Sequence, residues 1–437
     1  MKNNILALMP IFIFMMSMLA VSIYLRRAAA RKNKAGFLNE YFIGSRSLGG
    51  FVLAMTTVAT YSSVSSFVGG PGQAWNIGFG WIYMSVVQVT ALFLVLGILG
   101  KKMAIVSRKI NAVTVIDVIR HRYQSDALAN ISAVIIVLFF SATMVAQFVG
   151  GAKLFEAVTG YSYVTGLMVF GLVVVIYTAV GGFRGVAVTD ALCAIAMLVG
   201  MFLLLAGILK AGGGYEAIMS HIATTKPEML EPLSGGNMPY SLYISQWMLV
   251  GIFTVGLPQS VVRCLTYKDT RSLHRAIIIG TIVIGAMNII GVLSQGILTE
   301  DLAVYGNSVD NIMPLAIAKS LSPLLAGITI IGPIAASIST ISSLLLTATS
   351  SIIKDIYIHE KEKRQQKISE RKTSMLSQGC TLVLGLLIFF ISISPPDVIW
   401  KINMFAFGGL ETAFFWTFLL GMFWKKANKT GAIWSMA

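Results

Sequence analysis

The sequence predicts an all-α polytopic membrane protein, on three observations. Of its 437 residues, 56% are apolar and only 12% are charged, about half the charge a soluble domain carries. Apolar stretches near the roughly 20 residues a membrane crossing needs recur along the whole chain. The basic residues gather in alternate connecting segments, as cytoplasmic loops require.

The elements follow in order. The first apolar run, 6–24, precedes a basic cluster. A cleaved leader has its positive charges before the apolar run and small residues after it, so this is expected to be a retained first helix. Further spans are expected at about 48–69, 79–100, 127–151, 162–181, 187–210, 242–262, 274–298, 323–352, 376–395 and 400–424, with the first at about 4–25. An apolar segment starting at Gly431 is seven residues long. That is too short to cross, and it is expected to be the start of a truncated further helix.

With the N-terminus outside, the cytoplasmic pieces are 26–47, 101–123, 181–186, 263–275, 353–373 and 425–430. These carry 27 of the 33 lysines and arginines, so the net charge of +15 reports orientation in a membrane. A polyanion-binding protein would collect its charges on one folded face, and the spans forbid that. The outer loops 212–241 and 299–311 are acidic, holding Glu216, Glu228, Glu231, Glu300, Asp301 and Asp310. Trp75, Trp81 and Trp400 are expected at the outer interface and Trp424 at the inner one, as an aromatic belt. Segment 312–322 is expected to be a re-entrant or interfacial outer helix.

Two spans are not bland. The second has eight hydroxyl residues in the eleven positions from Thr56 to Ser66, then Gly69-Gly-Pro-Gly72. The seventh reads Gly251-Ile-Phe-Thr-Val-Gly-Leu-Pro-Gln-Ser260. Interrupted helices at matching places in two halves point to inverted repeats with a binding site at the midplane. Their freed carbonyls suit a cation and their half-helix N-termini an anion. A Pro-kinked helix with back-bonded hydroxyls reads the same way from either segment alone. The ninth span carries Ala335-Ala-Ser-Ile-Ser-Thr-Ile-Ser-Ser343, whose oxygens suit a hard cation or helix–helix bonding.

Ionisable groups within spans are Asp190 near the inner end of the sixth, Arg263 at the inner end of the seventh and Glu411 in the middle of the eleventh. Such groups mark function or a structural ion pair. His121, His221, His274 and His359 all fall in connecting segments, which disfavours a histidine proton relay. Cys193, Cys264 and Cys380 have no ligand-type spacing and are expected to be packing residues.

A wider pattern then stands out. It comprises Asn39-Glu-Tyr-Phe-Ile-Gly-Ser-Arg-Ser47, Ala59-Thr-Tyr-Ser-Ser-Val-Ser-Ser-Phe-Val-Gly-Gly-Pro-Gly72, Tyr177-Thr-Ala-Val-Gly-Gly-Phe-Arg184 with Thr189-Asp190, Gly256-Leu-Pro-Gln-Ser-Val-Val-Arg-Cys-Leu-Thr-Tyr-Lys-Asp269, and Phe407-Gly-Gly-Leu-Glu411. In this combination, over nearly its whole length, the chain resembles the sodium:solute symporter family. The resemblance implies a LeuT-like fold: an N-terminal helix with its basic loop (1–47), a first five-helix repeat (48–212), an outer loop (213–241), a second, inverted repeat (242–424) and the start of a further helix (425–437). It implies Na+ as the co-transported ion, held by the carbonyls of Ala59, Ser62 and Ala336 and the hydroxyls of Ser339 and Thr340. Asp190 matches an acidic position that the family links to sodium coupling.

The implied substrate is pantothenate, a small carboxylate imported across the inner (plasma) membrane by alternating access. Thr60, Tyr61, Ser65, Thr143, Gln147, Thr254, Gln259 and Glu411 are the candidates to meet it. Tyr61 stands where relatives have an aspartate, Gln259 where the family commonly has histidine, and Val250 and Thr254 where it has aromatic substrate contacts. These departures point away from amino acids and sugars. The alternatives are a same-fold symporter for another small carboxylate, or a solute sensor, which would need a signalling domain. An enzyme would need a nucleophile–base or metal constellation in a span. No nucleic acid and no obligate protein partner are implied.

Overall fold

The structure, a computed structural model, describes residues 5–30, 41–42, 55, 59, 63–85, 87, 93–236, 238–266, 271, 274, 278, 289–395, 397 and 399–437. Every regular element among them is helical, and seven helices are long and apolar enough to cross a membrane. Helix α1 (Ile5–Ala30) buries Ala7, Ile11, Met15, Met18 and Ser22 and exposes Ile5, Met9, Phe12 and Ile13. That spacing gives one face to the bundle and one to lipid.

The second span differs from expectation. After Ser63 the chain runs through a π-helical turn, Ser65–Gly69, into α2 (Gly70–Ile77). The Gly-Gly-Pro-Gly sequence is therefore helical and not an interruption. Pro71 stands in the first turn of α2, directly after the π-helical turn, and the wider turn there accommodates a residue that lacks an N–H donor. The non-helical position is Ser63, next to residues outside the described set.

Helix α3 (Phe79–Ser85) and a π-helical stretch, Phe93–Gly100, lead into α4 (Lys101–Lys109), so part of the expected inner loop is helix. Helix α5 (Val115–Tyr123) begins at a capping box. There the Asp117 N–H donates to Thr114 Oγ1 at 3.0 Å and the Thr114 N–H to Asp117 Oδ2 at 3.2 Å. Helix α6 (Asp126–Thr159) follows.

Helix α7 (Tyr163–Ala211) contains two spans with no loop between them. The turn is made at Gly182, φ 58° and ψ −170°, a conformation only glycine adopts cheaply. Beyond α8 (Tyr215–Thr225) come α9 (Tyr240–Trp247), α10 (Pro258–Thr266), α11 (Ile312–Ser320), α12 (Pro323–Ser350), α13 (His359–Lys363), α14 (Glu370–Ile391), α15 (Ile399–Phe423) and α16 (Lys429–Met436). The expected outer helix at 312–322 is α11. A π-helical segment, Ser351–Ile358, joins α12 to α13, extending the ninth span well past its expected end at 352. The histidines His121, His221 and His359 lie on α5, α8 and α13 rather than in irregular loops.

Helix α12 is the centre of the bundle and is buried on nearly all sides from Ala326 to Ser350. Its crossing with α7 is close because Gly200 and Gly332 meet there; a Cβ on Gly200 would lie 2.6 Å from the Thr329 carbonyl oxygen. Pro333 deprives that same carbonyl of its helical donor four residues on.

The basic segments meet at one end of the bundle. Arg122 Nε donates to the Gly421 carbonyl at 2.7 Å, its Nη2 to Trp424 at 2.9 Å, and Lys102 Nζ to Met422 at 3.1 Å. Asp126 meets Arg120 at 3.2 Å, His359 at 2.9 Å and Lys363 at 2.5 Å. The Tyr123 hydroxyl donates to the Thr417 carbonyl at 2.9 Å; burial pushes its phenol up, against the pull of Arg122.

At the opposite end Asp310, fully buried, pairs with Lys153 at 3.2 Å and accepts from the Ile399 N–H at 3.1 Å. The aromatic belt is corrected here. Trp75 and Trp81 are buried, because each finds protein partners. The Trp75 indole donates to the Leu298 carbonyl at 2.9 Å, and the Trp81 ring packs edge-on against Trp400 at 5.5 Å. Trp424 is exposed as expected.

Candidate ion and substrate site

Ala59 and Ala336 are wholly buried, as are Ser339 and, nearly, Thr340. Ser339 Oγ lies 3.1 Å from the Ala59 carbonyl oxygen and 3.0 Å from that of Ala336, so its single proton serves both. Thr340 Oγ1 donates to the same Ala336 carbonyl at 2.9 Å. Four oxygens from two segments, 280 residues apart in sequence, thus form one compact cluster. Hydroxyls that back-bond to the preceding turn can rotate their protons away and offer lone pairs. Ser62, the fifth expected ligand, lies outside the described residues.

Asp190 on α7 is fully buried, and Ser343 Oγ lies 3.4 Å from its Oδ2. Ser343 stands three residues beyond Thr340 on α12, so the carboxylate is about one helical turn from the oxygen cluster.

The seventh span is interrupted where the sequence suggests. From α9 it passes through a π-helical turn, Met248–Ile252, and a 3₁₀ turn, Phe253–Gly256. Leu257 is then extended, with φ −77° and ψ 110°, before Pro258 opens α10. Thr254 is buried and its hydroxyl donates to the Gly251 carbonyl at 2.7 Å. Gly256 lies against the backbone of α15: a Cβ there would stand 2.7 Å from the Phe415 nitrogen and 3.0 Å from the Glu411 carbonyl oxygen. Beside it the Phe253 and Phe415 rings meet edge to face at 4.8 Å.

Gln147 on α6 joins the two other elements of the site. Its Oε1 accepts the Val64 N–H at 2.9 Å, and its carbonyl accepts the Ser337 hydroxyl at 2.7 Å. Among the described residues its Nε2 has no partner, nor has Ser65 Oγ or Gln259 Oε1. All three side chains are buried. Thr143 is buried too and is back-bonded to the Phe139 carbonyl at 3.1 Å. Glu411 is 2% exposed, and its backbone carbonyl lies beside Gly256 of the interruption. Thr60 and Tyr61 lie outside the described residues, as does the Arg263 side chain.

Ser337 and Ser343 were not singled out from the sequence. The spacing 336, 340, 343 marks one helical face and could have raised Ser343. Ser337 had no such signal.

A helical membrane protein with an interrupted span, a second helix that starts beside Ser63, and a buried oxygen cluster between elements is built as an ion-coupled secondary carrier. The chain belongs to the sodium:solute symporter family, whose model matches residues 41–437. It is therefore a multi-pass membrane transporter that uses Na+ as its co-transported ion. Two curated relatives are named sodium/pantothenate symporter. That of Haemophilus influenzae is 40% identical over 99% of this chain and 88% of its own length. That of Escherichia coli is 40% identical over 98% and 88%. A solved Na+-coupled sialic acid symporter, in a substrate-bound outward-open state, matches with a TM-score of 0.82 at 20% identity, covering 98% of this chain and 89% of that one. The fold is accordingly LeuT-like, with a helix ahead of the two five-helix repeats.

Proposed function

We propose that this chain imports pantothenate with sodium across the cell's inner (plasma) membrane by alternating access, with its N-terminus outside. The convergence of the Ala59 carbonyl with the Ala336, Ser339 and Thr340 oxygens carries the reading. In it Na+ is held by the carbonyls of Ala59, Ser62 and Ala336 and by the two hydroxyls, whose protons turn outward to leave lone pairs facing the ion. Binding of Na+ ties the second span to α12 and so favours one arrangement of the two. Asp190, about a turn away, adds a negative charge that draws the cation towards α12 and couples its arrival to α7.

The name shared by the two 40%-identical relatives supports pantothenate as the solute. Its carboxylate would lie by the half-helix N-termini at Ser63 and Pro258, where the helix dipole favours an anion. Its amide and hydroxyls need donors and acceptors. Thr60, Tyr61, Ser65, Gln147, Thr254 and Gln259 offer them, with Thr143 and Glu411 on the flanking helices. The work comes from the sodium gradient and the membrane potential, about 2.3 kcal/mol per charge per 100 mV. No covalent step is part of this cycle. The basic end formed by α4, α5, α13 and the tail of α15 supports this orientation.

Uptake of labelled pantothenate into proteoliposomes under an inward sodium gradient tests the reading. Accumulation should require Na+, and pantothenamide, which lacks the charge, should compete poorly. Uptake without Na+, or stronger displacement by another small carboxylate, would replace it.

A further inference from the structure

Among the described residues, Glu411 is the acid whose two carboxylate oxygens are both buried and both without a hydrogen-bond partner. It lies in the middle of α15. Its position on the helix is set by its neighbours. Gly409 faces Phe139 of α6, while the turn from Glu411 to Phe415 receives Gly256 and Phe253 of the interrupted span.

Among the described residues, no charge answers it from the elements packed on α15. The interrupted segments Ser65–Gly69 and 248–256 contain no titratable residue. The charges of α6 are at its ends and engaged elsewhere: Asp126 with Arg120, His359 and Lys363, Lys153 with Asp310, and Glu156 with the Tyr163 N–H. From α5, Tyr123 and Arg122 reach α15 only at Thr417 and beyond. Lys102 arrives at Met422, Lys429 belongs to α16, and Lys401 pairs with Asp397 at 3.5 Å.

An ionised carboxylate in such surroundings is strongly disfavoured, and a neutral acid much less so. An anionic solute next to the interruption would add like-charge repulsion. We propose that Glu411 is a proton-binding site linked to the interrupted span, carrying a proton while the anionic substrate is bound and releasing it when the site is empty and hydrated. A carboxylate oxygen takes the proton from hydronium, leaving water, and returns it to water later; no other bond changes. Anion binding and protonation then favour each other by the same factor. The link to the anion rests on the pantothenate reading; the proton site itself does not.

The test uses the full chain in lipid nanodiscs with saturating sodium. Infrared spectra should show the C=O stretch of a protonated carboxyl that is absent from Glu411→Gln and fades as pH rises. Bound pantothenate should move that fading to higher pH. Pantothenate affinity should fall by about tenfold per pH unit above the midpoint, as linkage to one proton requires, and should be flat with pH in Glu411→Gln. Should Glu411→Gln not fold, Glu411→Asp serves, with the band kept but displaced. A band missing from the wild type at every pH, or unchanged in Glu411→Gln, overturns the site. A titrating band with no pantothenate binding at any pH leaves the site standing and defeats the substrate reading instead.

Discussion

Ser339 and Thr340 owe their proposed role to what stands opposite them. On an ordinary membrane helix, hydroxyls bonded to the preceding turn are unremarkable. Here Ser339 also reaches a carbonyl of another segment. Replacing either residue with alanine removes one sodium ligand and should cost about 1–3 kcal/mol, or roughly 5- to 150-fold in half-saturating sodium concentration. Sodium-dependence curves for both variants at matched expression would check this, and an unchanged midpoint in both would remove them from the site. The hydroxyl-rich stretch made these two residues legible, because Ser and Thr stand out in an apolar span. Gln147 was legible only as a polar residue. Its bond to the Val64 N–H spans 83 positions, and no local pattern encodes such a pairing.

Helical elements were largely readable from hydropathy, and their joints were not. The fifth and sixth spans were expected as two helices with a short loop, yet one glycine makes the whole turn at 182. The run through Gly69-Gly-Pro-Gly72 reads as a breaker, yet it stays helical, with a π-helical turn just ahead of the proline. The interruption at Phe253–Gly256 was foreseen; the reason it must contain glycine was not, since the contact is with the α15 backbone. Gly256→Ala should force these backbones apart, destabilising the protein by about 1–3 kcal/mol and slowing transport. Gly408→Ala, one helix position with nothing within 4 Å of an added Cβ, should be neutral or slightly stabilising. Thermal unfolding in detergent, with uptake rates, separates the two. Equal behaviour of both variants would discount the close approach.

Across the whole molecule, the end opposite the basic clasp is held by Asp310. It joins a loop to α6 and to the first N–H of α15. Asp310→Asn leaves Lys153 beside a neutral amide and should cost about 2 kcal/mol, below the range for fully buried pairs because Lys153 keeps 25% of its side chain in solvent. Adding Lys153→Met should recover part of that loss, since the stranded charge is then gone. Melting temperatures of the single and double variants test it; a double variant no better than the single would show that the Ile399 N–H, and not the ion pair, is what matters. The general architecture could be foreseen from charge alternation. The link through Asp310 could not, because the sequence shows Asp310 only as one acid of an exposed-looking loop.

The basic clasp on α15 has a consequence for how the protein is made. The last carbonyls of that helix are taken up by Lys102 and Arg122, and Arg122 precedes its Gly421 acceptor by 299 residues. The ribosome therefore delivers the donors long before the acceptors. Arg122 is therefore made without its acceptors, and the clasp can close only once the far end of α15 has been synthesised.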